Sequence, residues 1–174
     1  MYNEASAGKR ILAYFLDGLI CYAITYIFIV ILIFAFVGKE FTEFFDLLNE
    51  LNQYNDPNAI NEDIIKLIIT FYVKLFIIGV GVQLLVYFAY YVIIPYYSDG
   101  ASIGKKICGI KIIQEGKDRV SFGMLVVREF LMKCIVNALS CGIINIISFI
   151  KILASDDRRA IHDLASQTRV VDKN

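Results

Sequence analysis

Two long apolar runs, Ile11–Val37 and Ile64–Tyr97, dominate the chain, and a third, Phe122–Ile150, is apolar but interrupted. A spanning helix needs about 20 mainly apolar residues at about 1.5 Å of rise each. The first two runs therefore predict full transmembrane helices, over about 10–37 and 64–97. The first run, 27 residues long, exceeds the roughly 7–15 residues of a cleavable signal's apolar stretch. It reads as a retained membrane helix. The second is longer than it needs to be, and Pro95 predicts a kink near its far end. Between them, Phe41, Phe44, Phe45, Leu48 and Leu51 recur at helical spacing. That pattern predicts a short amphipathic helix on the membrane surface, followed by a turn at Asn55–Asn58.

The third region, 122–150, carries Arg128, Glu129 and Lys133 early, then Asn137, Ser140, Gly142 and Asn145. A bent or re-entrant helical hairpin breaking near Ser140–Gly142 fits this text, since irregular backbone is tolerated at membrane depth where protein or a cavity covers it. Two short β-branched stretches, Gly109–Ile113 and Thr168–Val171, alternate apolar and polar residues. They can pair only if the loop at 98–121 and the tail at 151–174 lie on the same side.

Charge placement sets an orientation. Segment 38–63 holds seven acidic residues against Lys39, whereas 98–121 holds Lys105, Lys106, Lys111, Lys117 and Arg119, and the tail is also basic. Positive residues favour the cytoplasmic side, so the N-terminus, the loop and the tail are expected there and the acidic segment outside. Tyr87, Tyr90, Tyr91, Tyr96 and Tyr97 would form an aromatic belt at the cytoplasmic interface. Lys74 falls near the outer interface, as a snorkelling anchor. The expected architecture is an all-α membrane protein, a single domain over 1–174: two full transmembrane helices, a third bent or re-entrant region, and a small cytoplasmic cap containing short β-strands.

Composition narrows the chemistry. The chain is 58% hydrophobic, above the about 45–50% of globular domains. Its 17 basic and 17 acidic residues balance, which gives no nucleic-acid signature. Cys21, Cys108, Cys134 and Cys141 show no CxxC spacing, and His162 is the sole histidine. Neither a zinc site nor a disulfide framework follows, and no cofactor is expected. Gly100–Lys106 resembles a phosphate-binding loop only superficially: its glycine spacing is one short and no hydroxyl residue follows the lysine. Nucleotide binding is rejected, and the segment reads as a basic turn meeting anionic lipid headgroups. No nucleophile–histidine–acid arrangement can be built, so no enzymatic activity is expected.

The costly residue is Asp17. It lies seven positions after Arg10, about 10 Å further along the same helix face. A carboxylate in hydrocarbon must face the protein interior and pair or work. Two readings follow: a proton- or cation-titrating group, or a packing ion pair with Arg128 as partner. Glu129 is placed i,i+4 to Lys133, a favourable intrahelical pair. Asp163 would accept hydrogen bonds from helix-end amides or pair with Lys105 or Lys106, in a packing or gating role at the cytoplasmic face. Gln83 with Gly79 and Gly81 marks a face for close helix contact or for lining a pathway.

These residues together resemble the RDD family, named for one arginine and two aspartates. The resemblance rests on Arg10, Asp17, the stretch from Ser102 to Ile113, Arg128-Glu129, and Ile161 to Val171, in order over nearly the whole chain. Family members commonly read threonine at Ser102 and glycine at Gln167. Arg10 and Asp17 carry over as the arginine and first aspartate, and Asp163 as the second. The resemblance implies a bacterial cytoplasmic-membrane protein, multi-pass with a cytoplasmic N-terminus, and some members are linked to cation/proton antiport. Two functions are therefore expected alternatives. One is a small cation/proton transporter or antiporter component for Na+ or H+, using Asp17 with Arg10 and Arg128. The other is an assembly or scaffold subunit whose buried charges specify helix packing. Two or three helices barely enclose a pathway, so transport would call for a homo-oligomer.

Overall fold

The computed structural model describes residues 3–54, 62–155 and 157–173, so the turn expected at Asn55–Asn58 lies outside the described residues. The chain divides into two compact units, Ala23–Leu85 and the pair of segments Met1–Tyr22 and Val86–Asn174.

Helix α1 (Ala7–Phe36) runs without a proline to break it. It is followed by α2 (Gly38–Tyr54) and α3 (Glu62–Phe88). Two stretches, Ala7–Phe36 and Ile64–Tyr97, are long and apolar enough to cross a membrane. Only 11% and 22% of their most apolar windows is buried by protein. Phe34, Phe76 and Leu85 are among the exposed apolar side chains on these helices. A soluble protein rarely exposes so continuous an apolar surface, and lipid is the solvent that covers it.

Within the unit Ala23–Leu85, α2 is amphipathic as its spacing predicts. Part of its apolar side meets a protein neighbour: Phe44 stacks on Phe71 with ring centroids 4.5 Å apart and planes 11° from parallel, and Val37 is fully buried beside them, while Phe41 and Phe45 stay exposed. Lys74 pairs with Glu40 of α2.

In the other unit, α3 continues through a π-helical turn, Ala89–Ile93, into α4 (Ile94–Tyr97). The turn precedes Pro95, which has no N–H and whose ring would meet the carbonyl four residues back. The widened turn accommodates the proline: the Ile94 N–H donates to Ala89 O, five residues earlier. The short α5 (Ile103–Ile107) leads into β1 (Ile110–Gln114).

The third apolar region opens with α6 (Phe122–Leu125), widens into a π-helical stretch, Val126–Val136, and closes with α7 (Asn137–Leu139). α8 (Ile143–Ala154) leaves it at 119°. The break falls where the small and polar residues predict it. Cys141 and Gly142 adopt φ of 50° and 84°, and the Asn137 side chain accepts the Asn145 N–H at 3.2 Å, satisfying an amide of the new helix's first turn.

α9 (Ile161–Ala165) and β2 (Thr168–Asp172) end the chain. β1 and β2 pair antiparallel, Ile112 opposite Val170, so the two β-branched stretches meet as expected and loop and tail share one side. The N-terminal segment joins the same ladder: the Ala5 N–H donates to Val170 O at 3.0 Å. Ala5, Ala13, Val92, Ile110, Ile112, Val120, Leu125 and Val170 form the core beneath.

Candidate functional site

The start of α1 and the elements around it bury an unusual number of charges, and these form an ordered series. Asp17 lies 3.8 Å from the Lys105 ammonium, which lies 3.5 Å from Glu129. Glu129 pairs with Arg128, Arg128 with Asp163 at 2.5 Å, and Asp163 with Arg10. The series alternates in sign. It begins and ends on α1, two helical turns apart, passing through α5, the π-helical stretch and α9. All six side chains are buried. Burial of an ion is unfavourable unless opposite charge and directed hydrogen bonds replace water, and here each charge meets its complement on a different element.

Asp17 takes three direct hydrogen bonds. The Tyr90 hydroxyl donates to Oδ1 at 2.7 Å, the Ser102 hydroxyl to Oδ2 at 2.5 Å, and the Gly104 amide to Oδ1 at 2.7 Å. The amide reaches because residue 104 has no side chain. A Cβ there would stand 2.7 Å from Asp17 Oδ1 and 2.8 Å from both Ala13 O and Asp17 N. Glycine is thus what lets α5 lie against α1.

Asp163 does two jobs at once. It pairs with Arg10 and Arg128, and its Oδ2 accepts the Ala160 amide at 3.0 Å, capping the start of α9. Burial raises its pKa, but Arg128 and Arg10 outweigh that and hold the carboxyl well below its ordinary value. Burial, with Lys133 nearby, pushes His162 well below its ordinary pKa and keeps the imidazole neutral.

Several expectations from the sequence need correction. Asp17 is not paired with Arg128; Lys105 faces it, because Arg128 is engaged by Asp163 and Glu129. Asp163 pairs with neither Lys105 nor Lys106, though it does accept a helix-end amide. Lys106 instead reaches Ser98 at 2.8 Å. Lys105 is buried and so does not meet headgroups. Tyr90 and Tyr91 belong to the buried site and not to an outward belt. Gln83 and Gly81 are exposed, and a Cβ at Gly79 or Gly81 would meet nothing within 4 Å, so neither glycine is a point of close packing among the described residues. The Glu129–Lys133 pair is present at 2.9 Å. Sequence reasoning passed over Tyr90, Ser102 and Gly104 as partners of Asp17. Their signal was indirect: a buried carboxylate requires donors.

Around this series lies a cavity of about 50 Å³. Its wall includes Asp17, Arg10, Lys105, Arg128, Lys133 and Ser148.

Helices too apolar for water joined to a charged, partly β-structured head define a small helical membrane protein. The RDD family profile matches residues 4–167, and the chain belongs to that family. It is similar to the uncharacterized protein YxaI of Bacillus subtilis (strain 168), 29% identical over 174 residues, covering 99% of this chain and all of YxaI. The uncharacterized protein YckC of the same organism is 34% identical over 86 residues, 49% of this chain and 56% of YckC. No solved structure matches.

Proposed function

We propose that the chain is a non-enzymatic membrane protein that exchanges a small cation such as Na+ for a proton at Asp17, with Lys105 as the competing internal cation. One observation supports this above others. Lys105 is held between two carboxylates on different elements, at 3.8 Å and 3.5 Å, both longer than the roughly 2.7–2.9 Å of a tight charge-assisted contact. An ammonium so shared can shift toward Glu129 and leave Asp17. The hydroxyls of Tyr90 and Ser102 can then reverse from donor to acceptor, offering a hard cation the oxygen ligands it prefers. N-terminus, loop and tail are assigned to the cytoplasm by their basic residues, and a homo-oligomer would complete a pathway that so few helices cannot enclose.

The second reading is an assembly or scaffold subunit, and the three directed hydrogen bonds on Asp17 favour it, since a saturated carboxylate is well suited to locking helices. Proteoliposomes separate the two. With a cation gradient imposed, the exchanger reading expects proton movement in the parent and at least a tenfold loss in Asp17→Asn protein that remains folded. Sealed vesicles carrying folded parent protein that move no protons under any alkali-cation gradient would refute exchange and leave the scaffold reading.

A further inference from the structure

The charged series and the cavity do not balance in the same way. Asp17, Glu129 and Asp163 cancel Lys105, Arg128 and Arg10, and Lys133 then remains as one surplus positive charge attached to Glu129. The cavity wall is more one-sided still. It carries Arg10, Lys105, Arg128 and Lys133 but only one carboxylate, Asp17; Glu129 and Asp163 are not part of it. His162, also on the wall, is neutral for the reason given above. Glu129 and Asp163 lie behind that wall, paired with Arg128, Lys133 and Arg10, so the space faces the net surplus of one positive charge, felt more strongly for its removal from water.

Donors are also left over. Ser148 of α8 is 3% exposed and lines the cavity, yet its hydroxyl has no hydrogen-bond partner among the described residues. A buried hydroxyl without a partner is costly and calls for a ligand or an ordered water. Lys133 carries three N–H donors, and its ammonium is ion-paired with Glu129 Oε2 at 2.9 Å. Tyr14, on the same wall, accepts from Asn145 Nδ2 at 3.4 Å and keeps its own proton to donate. A space of about 50 Å³ exceeds by several-fold the roughly 10–15 Å³ that one water needs.

We propose that this cavity binds a single phosphate-type oxyanion, taken either from an anionic lipid headgroup or as free phosphate, with Lys133 and Ser148 as its principal ligands. The anion supplies the negative charge the series lacks and the acceptor Ser148 lacks. Ile146, Ile150 and Leu153 stand exposed along the outside of α8, where acyl chains of a bound lipid would lie. The proposal does not depend on exchange at Asp17, and vesicle fluxes are not its readout.

The test uses the full chain purified in neutral detergent, with thermal unfolding followed against inorganic phosphate at constant ionic strength. A parallel series uses phosphatidylcholine nanodiscs with and without phosphatidate. The expected result is a saturable rise in Tm with phosphate, or with phosphatidate alone; the first outcome identifies a free anion and the second a headgroup. Ser148→Ala should weaken the apparent affinity about tenfold, the loss of one hydrogen bond to a charged group. Lys133→Gln should abolish the response. If Lys133→Gln fails to fold, Ser148→Ala, which only removes an oxygen, carries the test. No saturable response to either phosphate or phosphatidate, a response matched by chloride, or an unchanged affinity in Ser148→Ala would each overturn the proposal.

Discussion

Replacing Gly104 with alanine tests whether the close approach of α5 to α1 organises the head. The added Cβ would sit 2.7 Å from Asp17 Oδ1 and 2.8 Å from two backbone atoms of α1, Ala13 O and Asp17 N. Helix backbone cannot rotate aside as a side chain can, so α5 must move. Overpacking of this kind costs about 1–3 kcal/mol. Moving α5 also draws the Gly104 amide off an ionised carboxylate, which adds about 1.5–3 kcal/mol. The sum, about 2.5–6 kcal/mol, is a large share of the roughly 5–15 kcal/mol that holds a typical fold. It corresponds to a fall of about 10 °C in Tm for a chain of this size. Gly18→Ala is the control, because a Cβ there meets nothing within 4 Å and alanine is the better helix former. Thermal unfolding of the two purified variants, with their yields in the membrane fraction, gives the comparison. Equal Tm values for Gly104→Ala and Gly18→Ala would refute the reasoning, since the two differ in what the new methyl touches.

The loop before β1 allows a second paired test. Gly100 has φ of 80° and a Cβ would stand 2.1 Å from Ile112 O, whereas Gly109 has φ of 66° and open space around it; Gly109→Ala should cost about 1–2 kcal/mol for the left-handed backbone alone, and Gly100→Ala clearly more, read as the difference in their Tm. Asp163→Asn leaves two buried guanidinium groups short of a counter-charge and should destabilise by about 3–5 kcal/mol. Its pH behaviour follows from the depressed carboxyl: the unfolded chain takes the proton first, so the stabilisation is complete above the ordinary value of 3.8 and is lost as pH falls further. His162 acts higher on the scale. Held neutral while the unfolded chain protonates near 6.5, it should make stability decline as pH drops below 6.5, and Tm measured against pH should be flatter in His162→Gln over that range; an identical slope would count against a buried neutral imidazole.

Much of the architecture was legible in the order of residues, because membrane burial and local geometry both act on short stretches. Ile11–Val37 and Ile64–Tyr97 are apolar for longer than a bilayer requires, and that suffices for spanning helices. Ser140–Gly142 interrupts the third region with small residues, among them a glycine suited to a left-handed turn, and the chain bends there. The pairing of Gly109–Ile113 with Thr168–Val171 could also be read, since their β-branched alternation suits a strand and each needs a partner. Asp17, Arg10, Arg128 and Asp163 stood out because charge amid apolar text must be compensated.

What compensates each of them was a tertiary decision. Helical spacing shows which face Asp17 shares with Arg10, but not which of several basic residues will arrive opposite it. That depended on Gly104 allowing α5 to lie against α1, which brings Ser102 and Lys105 to Asp17. It depended also on the π-helical stretch that turns Arg128 and Glu129 inward together, and on α9 presenting Asp163 to arginines 35 and 153 residues away in sequence. Coulomb attraction is indifferent to sequence separation. Charge types could be read from the chain alone, whereas their partners were set by which backbones pack closely enough to exclude water.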